Sequence, residues 1–300
     1  MFCNMPDYPK LPLTALVAVK NEEANILRCL ESLTPAHQVV VIDSRSEDGT
    51  VNLARGAGAT VTQFNYRGGH PKKRQWALDN LEISTPWVLL IDADEVVPAQ
   101  LWQEIERVTI SAEPCDAYYI IKGFHFMGRR FRFGGFSHSA ILLFRTGRGC
   151  FERLEEVQTK HDMEVHERII VNGTVGKLKT PLIHEDFKGL TAYIERHNQY
   201  SSWEAAVRYR YLCTRRYGAA TIQPRLVGNS QERRRFLKTI AMRLPFEPLL
   251  WFVYHFFLRL GFLEGRRGLI ASTIRANYIS QVRAKIYELS LRNEQSSPCK

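Results

Sequence analysis

Short apolar runs alternate with helical patterns over the first hundred residues, and this alternation constrains the fold more than any other feature of the sequence. The apolar runs are residues 13–19, 38–42, 59–64 and 87–91, and a helical pattern follows each of the first three. Strands that alternate with crossover helices predict an α/β fold with a doubly wound, mostly parallel sheet. Aromatic, strand-like runs between residues 115 and 145 predict an antiparallel extension of that sheet.

Positive charge is concentrated in the last third of the chain. Residues 196–300 hold 19 of the 41 lysine and arginine residues but only 6 of the 31 acidic residues. A basic segment favours an anionic partner, which is a nucleic acid, a lipid headgroup or a phosphorylated substrate. We therefore expect a catalytic region over residues 1–195 and a basic helical region over residues 196–300.

The most apolar segment of the chain, residues 245–263, lies in the basic region. Its cleanest apolar run, residues 249–258, is shorter than the roughly 20 residues that cross a bilayer. Arginines flank the segment on both sides, which favours a helix that lies in a membrane interface. The alternative is a buried helix that packs on the catalytic domain.

The six cysteines are scattered and form no C-x-x-C pair. This pattern predicts neither a zinc site nor a disulfide framework, so we expect a reducing compartment. The N-terminal apolar run has no basic region before it, and it is interpreted as a buried strand rather than a signal peptide.

The sequence Asp92-Ala93-Asp94-Glu95 directly follows the apolar run of residues 87–91. Two carboxylates at the carboxyl end of a parallel strand are suited to bind a hard divalent cation together with substrate phosphates. The alternative is a solvated turn whose acids cap a helix.

Polar motifs also follow the first two apolar runs. Lys20-Asn21-Glu22-Glu23 follows the first run, and Asp43 begins a polar stretch after the second. Acids at these strand ends can accept hydrogen bonds from a nucleobase or a ribose, although Glu22 and Glu23 can instead serve the N-terminus of the next helix. No G-x-G-x-x-G follows the first run, which argues against a dinucleotide site.

In combination, VAVKNEE, VVVIDSRSEDGT and LLIDADE resemble the nucleotide-sugar-binding half of family 2 glycosyltransferases with the GT-A fold. This resemblance covers residues 13–100. It implies that residues 13–100 of the catalytic region bind the nucleotide sugar and that residues 101–195 form its acceptor-binding and catalytic part. Residues 163–186 and the R-L-G-F-L-E-G sequence at 259–265 resemble bacterial lipopolysaccharide-core glucosyltransferases and related surface-polysaccharide enzymes.

The resemblance implies roles for residues near the donor. Glu22 or Glu23 would contact the donor nucleotide, and Asp43 would bind the uracil. Lys73 and Arg74 match basic residues that approach the diphosphate. Neither a T-E-D tripeptide nor a Q-x-x-R-W box is present, which disfavours a processive synthase.

The resemblance also implies a metal site and a base. Asp92 would face the ribose or the metal, Asp94 would ligate Mg²⁺ or Mn²⁺, and His184 would complete the metal shell or touch the diphosphate. Glu167, in the V-H-E-R sequence, is the expected catalytic base. Alternatively, Glu167 is a surface acid paired with Arg168, and His184 is a structural histidine.

These observations predict an inverting, metal-dependent glycosyltransferase of cell-envelope polysaccharide biosynthesis. The expected donor is a nucleoside-diphosphate sugar, most simply a UDP-sugar, and the acceptor is a lipopolysaccharide-type or other lipid-linked glycan, or an oligosaccharide. The expected location is cytoplasmic and peripheral, on an anionic membrane surface at the inner face of the cell membrane.

Two other functions remain as alternatives. A nucleotidyltransferase would carry a Gly-rich basic loop after the first strand, where VAVKNEE stands instead. A nucleic-acid-binding protein would account for the basic region but would leave the strand-end acids without a role, and no nucleic-acid motif is visible. We therefore expect no nucleic-acid partner.

Overall fold

The computed structural model describes residues 10–68, 70–152, 168–185, 189–215, 222–228 and 230–296. The strands are β1 (Leu11–Val19), β2 (Ala36–Asp43), β3 (Thr60–Gln63), β4 (Trp87–Asp92), β5 (Glu95–Val96), β6 (Ala117–Phe126), β7 (Arg129–Arg130), β8 (His138–Arg145), β9 (Gly149–Phe151), β10 (Ile169–Val171), β11 (Val175–Lys177) and β12 (Leu182–His184). The helices are α1 (Ile26–Glu31), α2 (Thr50–Gly56), α3 (Lys73–Asn80), α4 (Ala99–Thr109), α5 (Gly189–Thr214), α6 (Ser230–Ala241), α7 (Glu247–Val253) and α8 (Arg266–Ser296).

One half of the main sheet is parallel, in the order β3-β2-β1-β4. Val17 in β1 lies between Val41 of β2 and Ile91 of β4, and all three are buried. These strands are nearly continuous apolar runs because the crossover helices cover the sheet, as parallel sheets require. Their carboxyl ends meet at one edge, where the polar motifs begin.

The other half of the sheet is mixed. β8 runs antiparallel to β4 and to β6, whereas β11 and β12 run parallel to β6. Two aromatic stretches that the sequence suggested as separate strands form the single strand β6. The predicted architecture, a mostly parallel α/β sheet with an antiparallel extension and C-terminal helices, is confirmed.

The C-terminal helices pack on one another through buried ion pairs. The Arg208 guanidinium in α5 contacts Glu204 at 2.6 Å and Glu247 of α7 at 2.9 Å, and all three side chains are buried. The Tyr278 hydroxyl in α8 donates a hydrogen bond to Glu204. Each buried charge therefore has an opposite charge beside it, as burial of a charge requires. The predicted boundary between residues 195 and 196 falls inside α5.

A single helix over residues 245–263, as the sequence suggested, does not form. α7 begins at Glu247, a π-helical turn covers Tyr254–Leu258, and a 3₁₀ turn covers Gly261–Glu264. Leu260 breaks the helix because it adopts a left-handed conformation, with a φ of 58°. Among the helices of the described residues, none combines the length and apolar character that a bilayer crossing requires.

Candidate active site

The loops after β1 and β2 are joined by side-chain to backbone hydrogen bonds at the carboxyl edge of the sheet. The backbone N–H of Glu22 donates to the Thr50 hydroxyl, and that of Glu23 donates to Asp48. The Glu23 carboxylate accepts a hydrogen bond from the Gly49 N–H at 3.0 Å, and the Glu22 carboxylate accepts one from the Asn25 side chain. Both acids therefore shape this edge.

Asp43, at the end of β2, is buried and organises the loop that follows it. Its carboxylate accepts hydrogen bonds from the backbone N–H and the hydroxyl of Ser46 and from the Gln63 side chain. A carboxylate with several donors is a rigid part of its site. Contact between Asp43 and a nucleobase stays a prediction.

The first turn of α3 brings two basic side chains to the same edge. The Lys73 ammonium donates a hydrogen bond to the carbonyl oxygen of Val19, the last residue of β1, at 2.8 Å. The Arg74 guanidinium contacts the Asp92 carboxylate at the end of β4. The structure thus places both basic residues at the strand ends, and their expected approach to a diphosphate stays a prediction.

Asp92 lies between two cations. One of its carboxylate oxygens contacts Arg74, and the other lies 2.6 Å from the Lys122 ammonium. Burial disfavours the charged form of Asp92, but the charges of Arg74 and Lys122 outweigh burial and hold its pKa well below the usual range. Asp92 is therefore a carboxylate at neutral pH, with a cation at each oxygen.

Sequence reasoning missed Lys122, which is buried in β6 and also lies 2.8 Å from the Glu95 carboxylate. Burial opposes its charge, but Asp92 and Glu95 raise the pKa of Lys122 above its ordinary value. The signal was present in the sequence, because Lys122 is the one lysine, arginine or acid within the ten residues of β6. Glu95 is fully buried and also accepts a hydrogen bond from the Asp92 N–H, so it helps to hold the end of β4 in place.

His184 and Asp94 form the second pair of the site. The Nε2 atom of His184 lies 3.2 Å from Oδ2 of Asp94, and its Nδ1 atom lies 3.5 Å from Glu95. β12 pairs with both β5 and β6, and this brings His184 to the site. His184 lies opposite Glu95 in the pairing with β5 and opposite Phe124 in the pairing with β6. Burial alone would lower the pKa of His184, but Asp94 and Glu95 raise it to about 10.

The donor set at Asp94 and His184 fits a divalent cation that a substrate phosphate also binds. Within the ranges that the structure describes, no group of three or more His, Cys, Asp or Glu side chains converges as a metal cage. Mg²⁺ and Mn²⁺ sites of nucleotide enzymes often use one or two carboxylates plus phosphate oxygens and water. Asp94 suits that pattern, and His184 would join it only after it loses the proton that Asp94 and Glu95 stabilise, whereas both oxygens of Asp92 already contact cations.

Glu167, the expected base, lies outside the described residues, as does Asp186. Glu185 is described and is held beside the site: its backbone N–H donates to the Asp94 carbonyl oxygen at 3.1 Å. Its carboxylate lies 3.6 Å from the Arg28 guanidinium and is mostly buried.

Solved structures that match part of the chain include two of glucosyl-3-phosphoglycerate synthase from Mycobacterium tuberculosis. One, with Mn²⁺, uridine diphosphate and glucosyl-3-phosphoglycerate, is 24% identical over 39% of this chain and 45% of that chain, with a TM-score of 0.30. Another, with Mg²⁺ and uridine diphosphate, is 24% identical over 39% of this chain and 44% of that one, again with a TM-score of 0.30. The chain thus spans less than half the length of these enzymes.

Sequence relatives match much more of the chain. The lipopolysaccharide core biosynthesis glycosyltransferase LpsC of Rhizobium meliloti is 28% identical over 287 residues, 93% of each chain. An uncharacterized glycosyltransferase of Rickettsia typhi is 26% identical over 285 residues, 94% of this chain and 88% of the relative. The model of the family described as glycosyl transferase family 2 matches residues 14–138, which contain β1 to β4 and the Asp92–Asp94 motif. Residues 14–138 of the chain therefore form a family 2 glycosyltransferase domain.

Proposed function

We propose that this glycosyltransferase moves a hexose from a UDP-sugar to a lipopolysaccharide-type, lipid-linked acceptor, with inversion at the anomeric carbon and with Mg²⁺ or Mn²⁺. One observation carries the proposal: the Asp94–His184 pair lies beside an Asp92 that Arg74 and Lys122 hold, at the carboxyl end of β4. Ligands of open α/β sheets bind outside the carboxyl ends of the strands, which is where this cluster lies.

The charges of the cluster suit a diphosphate leaving group. Lys73 and Arg74 approach from α3, and Asp94 with His184 offers the two protein ligands for the cation. When bound, the divalent cation would act as a Lewis acid that neutralises charge on the departing nucleoside diphosphate. The protein's own residues would orient the diphosphate and hold it next to that charge.

An inverting transfer needs one base at the acceptor hydroxyl, because the leaving group departs as an anion that needs no proton. We propose Glu167 for this role, on the strength of its V-H-E-R sequence. Glu185 and Asp186 are the next candidates. Of these three only Glu185 is among the described residues, and its backbone is hydrogen-bonded to Asp94.

The acceptor class rests on the relatives. The curated name of the Rhizobium meliloti protein assigns it to lipopolysaccharide core biosynthesis, and the similarity extends over 93% of both chains, including the region beyond residue 138. A lipid-linked acceptor and a cytosolic nucleotide sugar would meet at the inner face of the cell membrane. We therefore propose a cytoplasmic, peripheral location there, and no nucleic-acid partner.

A donor screen tests the proposal. Purified protein is incubated with UDP-, GDP- or dTDP-sugars, with Mg²⁺ or Mn²⁺ and a lipopolysaccharide-core acceptor, and the released nucleotide is measured. We expect uridine diphosphate in amounts equal to the glycosylated acceptor, with loss of the reaction on addition of a chelator. Release of pyrophosphate from a nucleoside triphosphate and a sugar phosphate would instead identify a nucleotidyltransferase.

A further inference from the structure

The segment from residue 244 to residue 263 exposes most of its apolar side chains. Eleven large apolar residues in this segment are about one-third exposed or more, and Phe246 and Leu258 reach 75% and 71%. We call this surface the apolar ridge; its most exposed members also include Leu249, Phe257 and Leu263. A contiguous apolar surface of this kind marks an interaction site rather than the ordinary scatter of exposed leucines.

The polar residues of the same segment point inward. Glu247, His255 and Glu264 are 1%, 6% and 3% exposed, although such side chains usually face water. Glu247 pairs with Arg208, and Glu264 accepts hydrogen bonds from backbone N–H groups. The segment therefore buries polar side chains and exposes apolar ones, which is the opposite of a helix that faces water. This indicates that its outer face meets an apolar medium.

Among the described residues, the exposed charged side chains of this segment and its flanks are positive. Between residues 241 and 270 the exposed charged side chains are Arg243, Arg259, Arg266 and Arg267, because both acids of this stretch are buried. Arginines at the edge of an apolar surface match anionic headgroups at the edge of a hydrocarbon layer. A second copy of the chain would instead bring four like charges against four others, which disfavours self-association through this face.

We propose that the apolar ridge inserts shallowly into the surface of an anionic lipid bilayer, with the four arginines at headgroup level. The broken backbone of the segment suits this position. α7, the π-helical turn and the 3₁₀ turn are each too short to cross the bilayer, but together they present side chains along one surface. The buried ion pairs of Glu247 keep that surface in place on α5 and α8.

The ridge is also bound to the loop between β7 and β8. The Glu264 carboxylate accepts hydrogen bonds from the backbone N–H groups of Arg132 and Phe133, at 2.6 and 2.9 Å. The Gly134 N–H donates to the Arg259 carbonyl oxygen, and His255 donates from Nδ1 to the Gly134 carbonyl oxygen. The loop therefore moves with the ridge, and insertion of the ridge places the loop at the level of lipid headgroups.

This loop leads into β8, which pairs with β6. In that pairing His138 of β8 lies opposite Lys122 of β6, so the loop connects to the active site. Insertion thus brings the acceptor-side half of the sheet next to the bilayer. This last step rests on the proposed function, since only a lipid-linked acceptor would benefit from it. Insertion itself does not depend on the sugar transferred.

Vesicle co-sedimentation tests the ridge without any substrate. Full-length protein is mixed with vesicles of phosphatidylcholine, with or without phosphatidylglycerol, at low and high salt. We expect binding that needs the anionic lipid and weakens with salt. Leu258→Glu should weaken it roughly tenfold or more, since a charge replaces an inserted leucine. Ile110→Glu is the matched control, because Ile110 is 70% exposed but lies outside the ridge.

The arginines have their own variant. Arg266→Gln with Arg267→Gln should weaken binding roughly fivefold per residue at low salt and flatten its salt dependence. Wild-type binding by the Leu258→Glu protein, or no binding by the wild type, would overturn the inference. A lipid-independent dimer that Leu258→Glu dissociates would overturn it in favour of a second copy. Because nucleotide release is measured separately, failure of insertion is distinguishable from failure of the proposed transfer reaction.

Discussion

The imidazole of His184 lies 3.2 Å from the Asp94 carboxylate, and the two residues come from strands far apart in the chain. Asp94 follows the central strand β4, whereas His184 ends β12 in the mixed half of the sheet. The active site is therefore assembled across the junction between the two halves, and its chemistry depends on their pairing.

Asp94→Ala should abolish sugar transfer and leave the fold intact. The substitution removes the carboxylate ligand expected for the cation, whereas His184 keeps Glu95 as a partner at 3.5 Å. Uridine diphosphate release, Mn²⁺ binding by calorimetry in the presence of uridine diphosphate, and circular dichroism check this. Asp79→Ala is the control, because Asp79 lies on the exposed surface of α3. Near-normal metal-dependent turnover by Asp94→Ala would refute the ligand assignment.

Lys122→Met should destabilise the protein by roughly 3–5 kcal/mol, because it leaves the fully buried carboxylate of Glu95 and the partly buried carboxylate of Asp92 without their shared cation. Urea denaturation measures the loss. Lys177→Met is the matched control, since Lys177 also lies on a strand of this sheet but is exposed. Equal stabilities for the two variants would show that the ion pairs of Lys122 contribute little to the native state.

Glu167→Gln should lower turnover by roughly 10²–10⁴-fold with little change in donor affinity, because it removes the proposed base and keeps the shape of the side chain. Single-turnover kinetics and uridine diphosphate binding separate the two effects. Glu185→Gln is tested in parallel. A large loss of turnover in Glu185→Gln, with none in Glu167→Gln, would transfer the role of base to Glu185.

His255 should make the protein less stable in mild acid. Burial lowers its pKa from 6.5 to about 4, against a hydrogen bond to Gly134 that opposes the shift. A lowered pKa in the folded state contributes stability above pH 6.5, and this stability is lost as the pH falls towards 4. The free energy of unfolding should therefore fall by about 2 kcal/mol between pH 7.5 and pH 5 through this group.

Chemical denaturation at the two pH values, compared with His255→Asn, isolates that contribution. The Asn amide can donate to the Gly134 carbonyl oxygen as Nδ1 of His255 does, but it does not titrate. The wild type should lose more stability than the variant on acidification. The same pH dependence in both proteins would show that protonation of His255 has no part in acid destabilisation.

Gly268→Ala should destabilise the C-terminal region, since a Cβ atom at Gly268 would lie 2.0 Å from the Gly261 carbonyl oxygen. Relief of that clash requires the 3₁₀ turn or the start of α8 to shift, at a cost of about 2–3 kcal/mol. Gly56→Ala is the control, because nothing lies within 4 Å of its Cβ position. Thermal unfolding of the two variants compares them, and equal melting temperatures would contradict this close approach.

Sequence patterns predicted the parallel half of the sheet well, because its signals are local. Apolar runs bounded by polar strand ends identified β1, β2 and β4 to within about two residues. Family resemblance added the nucleotide-binding motifs, and the matching family model over residues 14–138 confirms the family. Lys73 and Arg74 lie at the strand ends, where they contact Val19 and Asp92. The roles of these residues toward a donor stay predictions.

Other features depended on contacts between distant parts of the chain. No local pattern pairs Lys122 with Asp92 and Glu95, since the strand register of β6 against β8 and of β8 against β4 decides that contact. Hydropathy identified residues 245–263 as apolar and arginine-flanked but suggested one helix. The left-handed residue Leu260 breaks it just after Arg259, whose carbonyl oxygen accepts a hydrogen bond from the Gly134 N–H, and no local pattern predicts that contact.

The sequence by itself determined the α/β class, the strand-end motifs, the family and the uneven distribution of charge, because each depends on residue type and local spacing. Tertiary structure alone decided that His184 meets Asp94, that two cations hold Asp92, and that Glu247, His255 and Glu264 turn inward. The physical reason is that charge pairing and burial depend on which residues lie next to each other in the folded protein. A buried carboxylate is stable only beside its donors, and these come from strands and helices that are distant in the chain.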